Sequence, residues 1–126
     1  MLKTLEEIAS YIVADGKGIL AADESTGTIK KRFDSINVES TEDNRRDYRE
    51  MLFRASSMSE AIGGVILFDE TLRQSAANGD LLREVISNQN SLPGIKVDQG
   101  VSPLNGSDKE TITKGLDGLD ERCQEY

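Results

Sequence analysis

Residues 64–69 read Gly64-Val65-Ile66-Leu67-Phe68-Asp69, a short apolar run opened by a glycine and closed by an acid. Four consecutive apolar side chains leave no polar face, which fits a strand covered on both sides in a parallel sheet. The same grammar appears upstream in Gly18-Ile19-Leu20-Ala21-Ala22-Asp23 and downstream in Gly94-Ile95-Lys96-Val97-Asp98. Helical patterns lie between the runs. Strands alternating with helices predict an α/β fold with a parallel sheet, built here from three βα units. A closed barrel of such units needs eight strands. The chain therefore reads either as a small open sheet or as the first part of something larger.

The flanking segments support this reading. Residues 2–14 place Leu2, Leu5, Ile8, Ala9, Ile12 and Val13 on one helical face. Thr4 with Glu7 three positions on predicts a capping box, and Asp15-Gly16-Lys17-Gly18 ends the helix. A helix from Ser40 to about Glu60 would bury Tyr48, Met51, Leu52 and Ala55. Another over Gly79–Ser87 would bury Leu81, Leu82, Val85 and Ile86. A last helix is expected to turn Leu116, Leu119 and Cys123 inward. Loops are expected at 23–40, around 69–79 and at 98–113.

Composition narrows the chemistry. The 126 residues carry 15 Lys+Arg and 23 Asp+Glu, a net charge of -8, with no His and one Cys. Without histidine there is no Ser-His-Asp triad, no His-zinc site and no zinc finger. One cysteine forms no internal disulfide and suits a reducing compartment. The acidic balance argues against nucleic acid as the partner. No window is long and apolar enough for a membrane span, and Glu6 and Glu7 break any signal-peptide pattern. The expectation is a cytoplasmic protein.

The strand ends carry the candidate chemistry, because α/β folds bind ligands beyond the carboxyl ends of their strands. Asp23, Asp69 and Asp98 occupy those ends, and Lys96 shares a strand face with Asp98. A lysine inside a buried strand is costly unless it is paired or functional. Such a lysine beside carboxylates either attacks a carbonyl to form a Schiff base or holds a phosphate or enolate oxygen. The plainer alternative is an ion pair that fixes strand register. Three strand-end acids also allow a Mg²⁺ site, although the charge of Lys96 works against it. For Asp69 alone, a turn or helix cap is the simpler role. After Asp23 the chain reads Glu24-Ser25-Thr26-Gly27-Thr28-Ile29-Lys30-Lys31-Arg32, where hydroxyls, a glycine and three cations suit an anion such as a phosphate. The spacing is not that of a Walker A loop, and by pattern alone a solvated capped turn entering a short basic helix is the simpler explanation. Arg45, Arg46 and Arg49 form a second basic group, most of which ordinary helix pairing explains, because Glu42 lies three and four positions before Arg45 and Arg46.

Several stretches resemble the N-terminal part of class I fructose-bisphosphate aldolase. They are the run from Ala14 to Thr28, Glu42-Asp43-Asn44-Arg45-Arg46, the run from Gly63 to Leu72, Pro93-Gly94-Ile95-Lys96-Val97-Asp98, and Gly115-Leu116-Asp117-Gly118-Leu119. The resemblance covers essentially the whole chain in the same order. Residues 56–62 and 98–113 follow the family only loosely, and Thr28 stands where many members have Ser. The resemblance implies the first three βα units of a TIM (β/α)8 barrel. It also implies reversible cleavage of fructose 1,6-bisphosphate to dihydroxyacetone phosphate and glyceraldehyde 3-phosphate by a lysine Schiff base, with no metal or other cofactor. By residue, Asp23 matches a strand-end aspartate that handles the C4 hydroxyl and places the Schiff-base amine. Lys96 matches a lysine that tunes the neighbouring charges. Ser25, Thr28 and Arg32 match the phosphate-binding side, Arg45 a position linked to substrate phosphate, and Lys31 is a weaker match to that role.

The resemblance further implies that residues 1–126 form one partial barrel domain. The Schiff-base lysine, the catalytic glutamate, a further active-site lysine and the tyrosine-bearing tail would all lie beyond Tyr126. The expected partners are the sugar bisphosphate and the triose phosphates, with a homotetramer for the full-length protein. The alternative is a non-catalytic sugar-phosphate-binding or scaffolding module.

Overall fold

A computed structural model describes residues 4–126. It divides into two compact units, Met1–Ile95 and Lys96–Tyr126. The first holds the helix α1 (Leu5–Ile12), the strands β1 (Gly18–Ala22), β2 (Ile62–Leu67) and β3 (Leu92–Ile95), and the helices α2 (Thr26–Asp34), α3 (Glu42–Phe53), α4 (Met58–Ala61), α5 (Asp69–Arg73) and α6 (Leu82–Asn88). The strands form one parallel sheet in the order β1-β2-β3, as the alternation of runs predicts.

Local chemistry sets each element. Thr4 caps α1 by accepting from the Glu7 N–H at 3.1 Å, and Glu7 accepts from the Thr4 N–H at 3.0 Å. This is the predicted capping box. Leu2 falls outside the described residues. The apolar stripe of α1 is less buried than its spacing predicts: Leu5 is 81% exposed, and only Ile8 and Ile12 are half-buried. Ile12 lies against β2 where the register shifts. Gly18 pairs with Ile62 but Ile19 pairs with Gly64, so Gly63 is the extra residue of a bulge. A side chain on Gly63 would overlap the Ile12 backbone, which explains why glycine stands there. Tyr11 donates to the Asn90 carbonyl at 2.6 Å and Lys17 to that of Ser59 at 2.8 Å, which tie the N-terminal segment to the stretches leading into β3 and β2.

The core lies on the helix-covered side of the sheet. Ala22, Val65 and Leu67 of the strands meet Phe53, Met58, Leu82, Val85 and Ile86. The spacing of Leu82, Val85 and Ile86 therefore reads correctly, but α6 begins at Leu82 rather than Gly79 and leaves Leu81 half-buried at its N-cap. The opposite side of the sheet, with α1, leaves an apolar groove of about 1190 Å³ lined by Ile8, Tyr11, Ile12, Ile19, Ile66 and Leu92 among others.

The helix α3 departs from expectation. Its buried residues are Arg45, Arg49 and Phe53, while Met51 is 61% exposed and Ala55 is exposed. The period is helical, but the face that turns inward carries two arginines. The predicted single helix also breaks at Arg54 and resumes as the short α4. Within the expected loop near 69–79, Asp69 opens α5 and pairs with Arg73 at 2.9 Å.

In the second unit, β3 has already ended, so Lys96, Val97 and Asp98 follow the strand rather than extend it. The expected loop at 98–113 contains an antiparallel pair, β4 (Val101–Pro103) with β5 (Thr111–Thr113). The last helix, α7 (Leu119–Glu125), forms as expected, but Cys123 is exposed and Leu116 is 85% exposed. Neither is a core residue. Arg122 instead organises this unit by donating to the carbonyls of Val97 at 3.0 Å and Gly115 at 2.6 Å.

Candidate functional site

The sheet delivers Asp23 to the carboxyl end of β1, half-buried, in the position where α/β folds place ligand-handling groups. The chain turns there into α2. Ser25 holds the N-cap position without giving a side-chain cap. Its hydroxyl lies 3.1 Å from that of Thr28 instead. Nothing stands within 4 Å of where a Gly27 side chain would project. The result is an open first turn of a nine-residue helix with two adjacent hydroxyls, the arrangement that receives anions. Arg32 lies two turns on, its side chain 56% exposed and ion-paired with Glu24. Lys31 is exposed, and Lys30 pairs with Asp34 at 2.7 Å.

Behind this surface lies a buried network that the sequence reading missed. Arg49, wholly buried, donates to the Glu24 carbonyl at 2.6 Å. Its guanidinium faces the Phe68 ring at 5.9 Å and lies 3.8 Å from carboxylate oxygens of both Glu24 and Glu70. It thereby links the segment after β1 to the segment after β2. Burial pulls the Arg49 guanidinium below its ordinary pKa, and the facing carboxylates oppose that shift. Glu70 is held mainly by Arg45, whose Nε and Nη2 donate to its two oxygens at 2.8 and 2.6 Å. That bidentate bond holds the Glu70 carboxyl below the usual glutamate range and raises Arg45. Arg45 also donates to the Ser40 carbonyl at 2.7 Å. The sequence-level pairing of this basic group with Glu42 is not what forms. Arg46 takes Asp43 and Asp47, while Glu42 accepts from Gln74 at 3.5 Å. The available signal was the spacing of Arg45, Arg49 and Phe53, which marks one face of a helix.

In the second unit Lys96 is ion-paired with Asp98, so these two predicted residues are brought together. Lys96, followed by the Gly100 N–H at 3.0 Å, holds the Asp98 carboxyl below the usual aspartate range. Among the described residues no group of three His, Cys, Asp or Glu gathers as a metal site would require. Among them, too, no helix is long and apolar enough to cross a membrane.

A family model described as fructose-bisphosphate aldolase class-I matches residues 4–126. Fructose-bisphosphate aldolase B of Sparus aurata is 56% identical over 125 residues, covering 98% of this chain and 34% of that protein. The Bos taurus and Homo sapiens forms of aldolase B are 57% and 56% identical over the same length and with the same coverage. Among solved structures, a fructose-bisphosphate aldolase from Plasmodium falciparum, crystallised with TRAP and a small-molecule inhibitor, superposes with a TM-score of 0.91 at 50% identity. That match covers 94% of this chain and 34% of the other. The chain thus spans about a third of the length of the relatives it matches.

Proposed function

Because the chain belongs to the class I fructose-bisphosphate aldolase family, whose fold is a TIM barrel, we propose that it supplies the first three βα units and the phosphate-facing side of an aldolase active site. The whole protein would reversibly cleave fructose 1,6-bisphosphate to dihydroxyacetone phosphate and glyceraldehyde 3-phosphate by a Schiff-base mechanism. It would work in glycolysis in the cytoplasm, as a homotetramer. Residues 1–126 form a partial barrel domain in this reading, with the Schiff-base lysine on a later strand.

The observation that carries the reading is the open first turn of α2, directly after Asp23, with Ser25, Thr28 and Arg32 around it. Its N–H groups and hydroxyls offer donors to phosphate oxygens, and Arg32 adds charge. Arg45 joins the proposal as a residue linked to substrate phosphate. Its present bonds to Glu70 and Ser40 mean that direct contact would require that pair to open. Asp23 would orient the C4 hydroxyl and the Schiff-base amine. Lys96, paired with Asp98, would tune the charge of the site.

Without a Schiff-base lysine the 126 residues would bind sugar phosphates but not cleave them, which also accommodates a purely binding module. The test adds fructose 1,6-bisphosphate to the purified chain, follows triose phosphate release and thermal stability, and treats a dihydroxyacetone phosphate mixture with borohydride. Expected are no turnover, no trapped adduct, and a ligand-dependent stabilisation that Arg32→Ala abolishes. Turnover with a trapped adduct would overturn the proposed division of labour. Equal stabilisation of the Arg32→Ala chain would overturn the phosphate assignment.

A further inference from the structure

Glu24 is flanked by two arginines of opposite character. One carboxylate oxygen takes the exposed Arg32. The other, Oε2, is buried without a hydrogen-bond partner and lies 3.8 Å from Nη2 of Arg49. Arg49 in turn has two buried donors, Nε and Nη1, that no acceptor meets. Nη2 already donates one hydrogen to the Glu24 carbonyl, so Oε2 is an unmet buried acceptor beside a guanidinium nitrogen with a second hydrogen to give, an unusual state for a buried carboxylate. Glu70 is the other carboxylate beside Arg49, at 3.8 Å, but Arg45 already engages both of its oxygens. Arg49 therefore keeps spare hydrogen-bonding capacity, and Oε2 of Glu24 lies beside its Nη2. A rotation that closes the gap by about 1 Å would reach ordinary hydrogen-bond length.

We propose that Glu24 is a two-position carboxylate that gates Arg32. With the site empty it holds Arg32, and when a phosphate group binds Arg32 it turns onto Arg49. This rests on the reading of Ser25, Thr28 and Arg32 as a phosphate-facing surface. It adds a regulatory consequence: an anion at Arg32 competes with the carboxylate of Glu24, and Arg49 receives the displaced charge. Because the Glu24 carbonyl is also held by Arg49, the backbone stays fixed while the side chain moves. The exchange would satisfy Oε2 of Glu24 through the second hydrogen of Arg49 Nη2, which offsets part of the cost of parting Glu24 from Arg32.

The experiment titrates inorganic phosphate into the 126-residue chain while recording the ¹⁵N side-chain signals of Arg32 and Arg49. Expected is one saturable curve shared by both arginines. In Glu24→Gln, which lacks the competing charge, phosphate should bind roughly twofold to fivefold more tightly, the range open to an ion pair with one exposed partner. The Arg49 response should disappear in that variant. A response of Arg32 with Arg49 unmoved, or a Glu24→Gln chain that binds phosphate equally or more weakly, overturns the gate and leaves the phosphate assignment standing. No response of Arg32 in either chain overturns the phosphate assignment and the gate together. Should Glu24→Gln not fold, the joint titration of the two arginines in the unaltered chain decides by itself.

Discussion

Gly63 carries a constraint that an apolar strand pattern does not show. It is the extra residue at the bulge of β2, and a β-carbon built there comes within 2.8 Å of the Ile12 Cα. The obstacle is backbone, which cannot rotate aside. Gly63→Ala should therefore destabilise the first unit by about 1–3 kcal/mol, the usual cost of overpacking. The measurement is amide exchange, expected to speed up across β2 and α1. Gly27→Ala is the contrast: its β-carbon meets open space inside α2, and alanine is the better helix former by about 0.5–1 kcal/mol. Equal effects of the two substitutions would show that α1 does not rest on Gly63. Sequence alone placed Gly63 beside a strand, but the reason for glycine there lies in a contact with a residue some fifty positions earlier.

Elements whose apolar residues face a single neighbour were legible. The first two strands, the place though not the bounds of the third, the Thr4–Glu7 capping box and the Leu82, Val85, Ile86 face of α6 follow from period and punctuation. The inward face of α3 does not, because burying Arg45 and Arg49 depends on partners that the chain brings from Glu24 and Glu70. The pair β4–β5 was hidden for a related reason: strands of three residues carry too little pattern. The same long-range pairing makes α3 sensitive to acid. Arg45 lowers the Glu70 carboxyl, and the Ala77 N–H followed by Arg54 lowers that of Glu50. A carboxyl whose folded pKa is depressed adds stability that is complete above its unfolded value and fades as the pH falls through the folded one. The packing of α3 should thus weaken below the ordinary glutamate range, read as a loss of far-UV circular dichroism between pH 5 and pH 3, about the window where carboxylates titrate. Glu70→Gln should cost about 1.5–3 kcal/mol near neutral pH, the value of a hydrogen bond to a charged group. It should also flatten the acid loss. An acid profile identical in the variant would remove Glu70 from this account.

At the scale of the whole chain, the two units differ in what holds each together. Every buried apolar side chain among the described residues belongs to the unit that ends at Ile95. From Lys96 onward no large apolar residue is buried: Leu119 is half-buried, Val101 is 66% exposed and Leu116 85%. That unit relies on the short β4–β5 ladder, the Lys96–Asp98 pair and the two carbonyls gripped by Arg122. Exposed ion pairs and hydrogen bonds contribute about 0–1.5 kcal/mol each, well below what a packed core contributes. The first unit has a core, yet it leaves Ile19 at 52% exposure on a sheet face that a closed barrel would cover. The purified chain should therefore be marginal, and its stability should be graded rather than uniform. Amide exchange is expected to be fastest across residues 96–126, while Val65, Leu67 and the buried turn of α6 keep the highest protection. A hydrophobic dye should bind the groove beside Ile19 and Ile66. A monodisperse chain that melts in one cooperative step, with equal protection in both units, would overturn this picture and would mean that residues 96–126 draw on stabilisation beyond their own contacts.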